Sequence, residues 1–223
     1  FEDAKLKADV TGKLMGKISP TAVIASNTST LPISELATAT KEPDKFVGIH
    51  FFSPVNKMNL VEIIKGEKTS DMAVCKALDY VKQIRKTPIV VNDARYFYAN
   101  RCILPYINEG VKMVGEGINP SLIENGAKLL GMPVGPLQLI DETSIDLANQ
   151  IAIATKRALG EKYSENIADE VLAFMVKNTR LGRKVNAGFY EYDDKGNRVR
   201  LWKQLSSEWP INPVQPNVTI IKN

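Results

Sequence analysis

Apolar residues follow two different patterns along the chain, and the pattern changes near Ala94. Before this point, short apolar runs at 22–26, 46–52, 60–64 and 87–91 are separated by stretches with helical spacing. The first part therefore predicts strands that alternate with helices, as in an α/β fold with a parallel sheet. After it, apolar residues recur every three or four positions to about residue 180, which predicts an almost entirely helical part.

These patterns predict three segments. We expect an α/β domain over 1–94, a helical domain over 95–192 and an extended, proline-containing linker over 193–223. Pro105 is expected to kink or interrupt the helix that contains it. The predicted helices cover about 3–17, 70–85, 99–114, 120–130, 147–159 and 167–177.

The composition narrows the classes of function. The chain is 44% hydrophobic and lacks a long uncharged apolar run, so we expect no membrane span. Its net charge of +4 is spread out, which argues against nucleic acid but suits an anionic, phosphate-bearing substrate. Cys75 and Cys102 fall in helical patterns, and we expect small buried thiols in a reducing, cytoplasmic compartment. A single histidine and two separated cysteines cannot form a zinc-type cluster, so no metal site is expected.

His50 is the only histidine, and it lies near the end of the apolar run 46–52. Open α/β sheets bind their ligands at the carboxyl ends of such strands. If the run 60–64 lies alongside, Glu62 can bond one imidazole nitrogen and leave the other free for proton transfer. A histidine in an apolar strand is, taken alone, more often a core residue. At this point both interpretations stay open.

Several separated motifs occur in the order and spacing of one enzyme family. They are 25–31 (ASNTSTL), 50–54 (HFFSP), 60–64 (LVEII), 100–101 (NR), 131–136 (GMPVGP), 180–184 (RLGRK) and 188–190 (GFY). The chain thereby resembles the L-3-hydroxyacyl-CoA dehydrogenase family up to about residue 192. The resemblance implies the C-terminal part of a Rossmann-type NAD-binding domain, without its first strands, joined to a helical domain for substrate binding and dimerisation. It also implies NAD as cofactor and (3S)-3-hydroxyacyl-CoA, oxidised to 3-oxoacyl-CoA, as substrate.

The resemblance implies a catalytic role for four residues. His50 matches the base that takes the proton from the 3-hydroxyl group, and Glu62 matches its orienting partner. Ser29 matches the serine that holds the reacting oxygen of the substrate. Asn100 matches an asparagine that contacts the substrate at the start of a long helix.

The same resemblance implies contacts with the cofactor. Glu2 and Lys7 match residues that touch its nicotinamide-ribose portion, and the implied set is Glu2, Lys7, Asn27, Ser29 and Ser53. The glycine-rich turn G-x-G-x-x-G that binds the pyrophosphate does not occur in the sequence, so we expect it upstream of Phe1.

Three residues depart from the family pattern. Ser53 stands where single-function members have asparagine, which is expected to weaken a nicotinamide contact, and serine here is similar to multifunctional members. Tyr96 and Ser144 stand at positions where the family usually has glycine. Tyr96 is bulky and close to the expected substrate cleft, so it is expected to alter the preference for acyl chain length.

Two functions remain open. The first is the dehydrogenase part of a multifunctional fatty-acid β-oxidation α chain, since 210–223 resembles the stretch that leads to a second helical module. We then expect the helical part to pack on that module or on a homodimer partner. The second is an inert assembly module, because the cofactor-binding half is missing. Arg180, Arg183 and Lys184 either meet coenzyme A phosphates or form an exposed loop.

Overall fold

The computed structural model describes residues 3–164 and 166–217. The chain divides into two compact units, Phe1–Cys102 and Ile103–Asn223. The division lies eight residues beyond the change of pattern at Ala94, inside the helix that begins at Ala99. The elements of the first unit are α1 (Ala4–Leu14), β1 (Ile24–Ser26), α2 (Ile33–Leu36), β2 (Phe46–Phe51), β3 (Leu60–Lys65), α3 (Asp71–Gln83) and β4 (Thr87–Asn92).

The first unit is built on one four-stranded sheet with the order β1-β2-β3-β4. β1 and β2 are parallel, as are β3 and β4, but β2 and β3 run antiparallel. The expected parallel alternation is therefore wrong at this one junction. Parallel neighbours need a crossover of about a dozen residues or more, and the connection 52–59 is too short to provide one.

The centre of this sheet is β2, where every residue from Phe46 to His50 is buried. At Gly48 a Cβ atom would come within 2.7 Å of Ile33 and 2.8 Å of Ile64, so the close packing requires glycine. α3 covers the sheet with Ala73, Val74, Ala77 and Val81. Each large apolar side chain buried in this way stabilises the fold by about 1.5–3 kcal/mol.

The second unit is helical with one hairpin. Its elements are the greater part of α4 (Ala99–Gly115), then α5 (Pro120–Leu129), α6 (Pro136–Thr143), α7 (Ile145–Leu159), α8 (Ile167–Lys177), β5 (Tyr190–Tyr192), β6 (Arg198–Leu201) and α9 (Leu205–Glu208). Of the kink or interruption expected at Pro105, the interruption is wrong, because α4 continues through this residue. Pro105 is exposed, on the side of α4 away from the buried Ile107 and Val111.

The tail is not an extended linker over 193–217, and that prediction is wrong for these residues. They contain β6 and α9, and the chain then binds back onto the connection between α4 and α5. Asn212 N–H donates to Gly117 O at 2.9 Å, and Gln215 Oε1 accepts from Asn119 N–H at 2.8 Å. The segment after α9 contains prolines and is not helical, but the side-chain amides of Asn212 and Gln215 hold it in place. Residues 218–223 lie outside the described residues.

The two cysteines are exposed, so the expectation of buried thiols is also wrong. Cys75 lies between the buried residues Val74 and Ala77 on α3 but points away from them. A helical pattern alone gives the approximate face of a small residue, and a shift of one position is enough to expose it.

Candidate active site

His50 and Glu62 are direct cross-strand neighbours in the β2–β3 pair. The imidazole Nδ1 lies 2.7 Å from Glu62 Oε2. Both side chains are buried, with 4% of His50 and none of Glu62 exposed. The predicted proximity of the two residues is confirmed, and it depends on the antiparallel register that the short connection 52–59 imposes.

Glu62 is held as an anion by donors from three residues. Its Oε1 accepts from Tyr98 N–H at 3.0 Å and from Ala99 N–H at 2.8 Å, where α4 begins. Burial raises the pKa of Glu62, but the hydrogen bond and charge of His50 and these backbone N–H groups outweigh it and lower the pKa below 4.5. The positive end of the α4 dipole acts in the same direction.

The ionised carboxylate decides which imidazole nitrogen carries the proton. A carboxylate can only accept hydrogen bonds, so the short contact to Oε2 places a proton on Nδ1 of His50. Nε2 is then the acceptor in the neutral ring. Its neighbour is Ser29 Oγ at 3.1 Å, at the loop that follows β1.

Asn100 completes the group of four predicted catalytic residues. Its Nδ2 donates to Ser29 O at 3.3 Å, from the first turn of α4. The structure therefore brings His50, Glu62, Ser29 and Asn100 together within the first unit. Their catalytic roles stay predictions.

Two of the predicted cofactor residues contact each other beside this group. Lys7 Nζ donates to Asn27 O at 2.7 Å, and Asn27 Oδ1 accepts from Phe51 N–H at 3.4 Å. Ser53 is exposed, two residues beyond Phe51. Glu2 lies outside the described residues. Lys7 and Asn27 lie near the carboxyl end of β1, where open α/β sheets bind their ligands, and their contact with the cofactor stays a prediction. The glycine-rich turn for the pyrophosphate does not occur in this sequence.

Sequence reasoning missed the aromatic residues around His50. The ring of Phe52 lies 4.6 Å and that of Phe97 5.8 Å from the imidazole centroid. Phe52 directly follows the strand and is part of the motif, so it could have been found. The N–H donors of Tyr98 and Ala99 are backbone groups, and no residue type marks them.

Two departures from the family pattern have an unusual backbone. Tyr96 has φ 70° and Ser144 has φ 113°, in regions that favour glycine. This explains physically why a glycine suits both positions.

In the helical unit, a glycine of each of two motifs packs directly against a buried carboxylate. A Cβ atom at Gly135 would overlap the carboxylate of Glu124, and one at Gly188 would overlap that of Asp141. Glu124 Oε1 accepts from Leu137 N–H at 2.8 Å, at the start of α6. These motifs therefore serve the packing of the helical unit, because only glycine leaves room for the two carboxylates.

Asp141 is bound by the hairpin. Its two oxygens accept from Phe189 N–H at 2.7 Å and Tyr190 N–H at 2.9 Å, and the Tyr192 hydroxyl adds a third bond at 3.0 Å. Burial raises the pKa of Asp141 to about 6, against the opposing effect of these donors and of Arg180.

The basic run has internal partners at two of its three positions. The Arg180 guanidinium lies over the Trp202 ring at 4.1 Å and donates to Gly188 O and Tyr190 O. Lys184 forms an ion pair with Asp146. Arg183 is exposed.

Within 3–164 and 166–217, no three His, Cys, Asp or Glu side chains are grouped so that they could hold a metal ion. Among the helices of the same residues, none has the length and apolar character to cross a membrane.

Comparison with known families gives two matches that together cover most of the chain. The 3-hydroxyacyl-CoA dehydrogenase NAD binding domain matches residues 1–94, and the C-terminal domain of the same family matches residues 97–192.

Solved structures give the same relationship. (S)-3-Hydroxybutyryl-CoA dehydrogenase PaaH1 from Ralstonia eutropha is 35% identical with a TM-score of 0.75, over 87% of this chain and 69% of that one. M. tuberculosis FadB2 is 30% identical with a TM-score of 0.75, over 86% of this chain and 68% of that one. The dehydrogenase part of multifunctional enzyme 1 from C. elegans is 27% identical with a TM-score of 0.65, over 99% of this chain and 50% of that one.

Proposed function

Because this chain belongs to the NAD-dependent 3-hydroxyacyl-CoA dehydrogenase family, we propose that its His50–Glu62 pair performs the acid–base chemistry of that reaction. In the direction of oxidation, Nε2 of His50 takes the proton of the 3-hydroxyl group as the alcohol becomes a ketone. Glu62 stabilises the imidazolium that forms, and it holds the Nδ1–H tautomer that leaves Nε2 unprotonated beforehand. NAD, when bound, supplies the acceptor for the hydride that leaves C3.

Ser29 and Asn100 act on the substrate side of the imidazole. Ser29 Oγ lies 3.1 Å from Nε2, so both groups can reach one substrate oxygen between them. The hydroxyl then stabilises the charge that develops on this oxygen. Asn100 orients Ser29 through its carbonyl and is close enough to meet the substrate. Lys7 and Asn27 would hold the nicotinamide end of the cofactor.

The observation that carries the proposal is the chain of contacts Ser29 Oγ–His50 Nε2 and His50 Nδ1–Glu62 Oε2. Its test is His50→Gln in the complete NAD-dependent enzyme that contains this chain. We expect kcat to fall by about 10²–10⁴-fold, because a general base is lost, while the affinity for NADH stays nearly unchanged.

Lys65→Gln, an exposed change on β3, is the matched control and is expected to keep normal turnover. Near-normal turnover of His50→Gln would remove His50 from the proposed role.

We further propose that the reaction belongs to fatty-acid β-oxidation and that the chain is part of a multifunctional enzyme. Ser53 supports this proposal, because serine at this position is similar to multifunctional members of the family. The C. elegans structure supports it too, because its similarity extends over 99% of this chain and so includes the folded tail. A cytoplasmic location stays a prediction. Turnover of 3-hydroxyacyl-CoA substrates of increasing chain length would test the assignment, and activity confined to one short-chain substrate would contradict it.

The alternative left open by the sequence is an assembly module without catalytic activity of its own. Titration of this chain alone with NADH separates the two. Both tryptophans, Trp202 and Trp209, lie in the second unit, so NADH fluorescence is the more direct signal. Binding with turnover of acetoacetyl-CoA contradicts the inert module, and absence of binding by a folded chain contradicts autonomous catalysis.

A further inference from the structure

Two successive residues in the left-handed region precede α4. Tyr96 has φ 70° and Phe97 has φ 50°. Large side chains rarely adopt this conformation, and a pair of them indicates a turn that the surrounding structure holds in place. The turn is closed by a hydrogen bond from Phe97 N–H to Ala94 O at 2.9 Å.

This turn reaches both members of the His50–Glu62 pair. The Phe97 side chain is 2% exposed, and its ring lies 5.8 Å from the imidazole with the planes tilted by 57°. The next two N–H groups, of Tyr98 and Ala99, both meet Glu62 Oε1. The direction of these N–H groups depends on the backbone angles of the two residues before them.

The carboxylate is consequently fixed at both oxygens. Oε2 contacts His50, and Oε1 accepts two backbone bonds, so Glu62 cannot rotate without losing hydrogen bonds in a buried site. The imidazole, in turn, has aromatic neighbours in Phe52 and Phe97. Small errors of position at a reacting group are costly for the chemical step.

We propose that Phe97 is a positioning residue, which through its ring and its left-handed backbone holds the His50–Glu62 pair in the geometry required for proton transfer. This inference rests on the proposed role of His50 as the base. A change at Phe97 should therefore slow the chemical step and leave the binding of substrate and cofactor unaffected.

The test is Phe97→Leu in the complete NAD-dependent enzyme, because leucine keeps an apolar side chain and removes the ring. We expect kcat to fall by about tenfold or more, with KM for the acyl-CoA and for NAD within about twofold of the original values. The primary deuterium isotope effect with substrate deuterated at C3 should rise, because the chemical step becomes more fully rate-limiting. This ratio does not depend on the fraction of folded enzyme.

Phe46→Leu is the matched control. Phe46 is 1% exposed and belongs to the same apolar cluster as Phe97, so the change removes the same volume from the same core. We expect a comparable loss of stability with an unchanged kcat per folded molecule and an unchanged isotope effect. Equal kcat losses in both variants, with no change of isotope effect, would show that Phe97 is only structural.

The two proposals fail separately. If His50→Gln is inactive and Phe97→Leu behaves like Phe46→Leu, only the positioning role is contradicted. If His50→Gln keeps normal turnover, the role of His50 as the base is contradicted directly.

Discussion

Glu62 in the first unit and Asp141 in the second are both buried carboxylates, with 0% and 2% of their surface exposed. Each accepts two backbone N–H bonds. Their pKa values nevertheless move in opposite directions, since that of Glu62 is lowered and that of Asp141 is raised to about 6. Burial raises both. Only Glu62 has a hydrogen-bonded partner, His50, that can become a cation.

The opposite shifts reflect a balance: burial opposes ionisation more strongly at Asp141, and only Glu62 has a partner that gains charge when it takes a proton. Asp141 is bound by neutral donors from Phe189 and from β5, and the attraction of Arg180 is too weak to offset its burial. Glu62 meets the start of α4 and an imidazole that gains charge when it takes a proton.

The largest effect is expected for Glu62→Gln. An amide can donate to Nδ1 of His50, which favours the wrong imidazole tautomer, and it does not stabilise the imidazolium. We expect kcat to fall by roughly 10²–10⁴-fold, no more than the loss expected when the base itself is removed. Steady-state kinetics of the complete enzyme checks this. A loss of less than about tenfold would contradict the orienting role.

Asp141→Asn should act on stability instead. The amide NH₂ would face the N–H groups of Phe189 or Tyr190, and a buried donor would be left without an acceptor. We expect the free energy of unfolding to fall by about 1–3 kcal/mol. Urea unfolding followed by tryptophan fluorescence measures it, since Trp202 and Trp209 are in the same unit. A loss of kcat per folded molecule as large as that of Glu62→Gln would break the comparison.

The two carboxylates should also respond oppositely to pH. Because the pKa of Asp141 is raised, its contribution to stability is fully present below 3.8 and is lost as the pH rises through about 6. Glu62 contributes stability above 4.5, which is lost as the pH falls through its lowered pKa. From pH 7 to pH 5 we expect Asp141 to add about 1 kcal/mol of stability.

Urea unfolding at these two pH values, for the original protein and Asp141→Asn, measures the contribution. The gain at pH 5 should be absent from the variant. An identical pH dependence in both proteins would contradict the raised pKa.

The smallest effect concerns the backbone near each carboxylate. Tyr96 lies before the N–H groups that bind Glu62, and Ser144 follows Asp141 by three positions; both have positive φ. Ser144→Gly relieves the strained backbone, and we expect this to raise the free energy of unfolding by about 0.5–1 kcal/mol. The loss of the hydroxyl bonds to Asp146 and Lys184 offsets part of this gain. Thermal unfolding checks this, and Tyr96→Gly is the counterpart in the first unit. A lower melting temperature for Ser144→Gly would mean that its hydroxyl bonds outweigh the backbone strain.

Much of the fold and part of the site could be predicted from local pattern. The spacing of apolar residues predicted the main helices and strands, because burial on one face imposes its own period on the sequence. The sequence predicted the proximity of His50 and Glu62 only on the condition that their two apolar runs lie side by side, and the antiparallel pairing of β2 and β3 meets that condition. The tail could not be predicted, because Asn212 and Gln215 find their partners about 95 residues away, at Gly117 and Asn119.

Local pattern alone indicated the main helices and strands up to about residue 177, the single histidine and the motif residues that identify the family. Tertiary structure decided how each carboxylate ionises. The donors to Glu62 are backbone N–H groups 36 and 37 residues away, and those to Asp141 are 48 and 49 residues away. Backbone groups carry no sequence signature, and the balance between burial and hydrogen bonding exists only when distant segments are packed together.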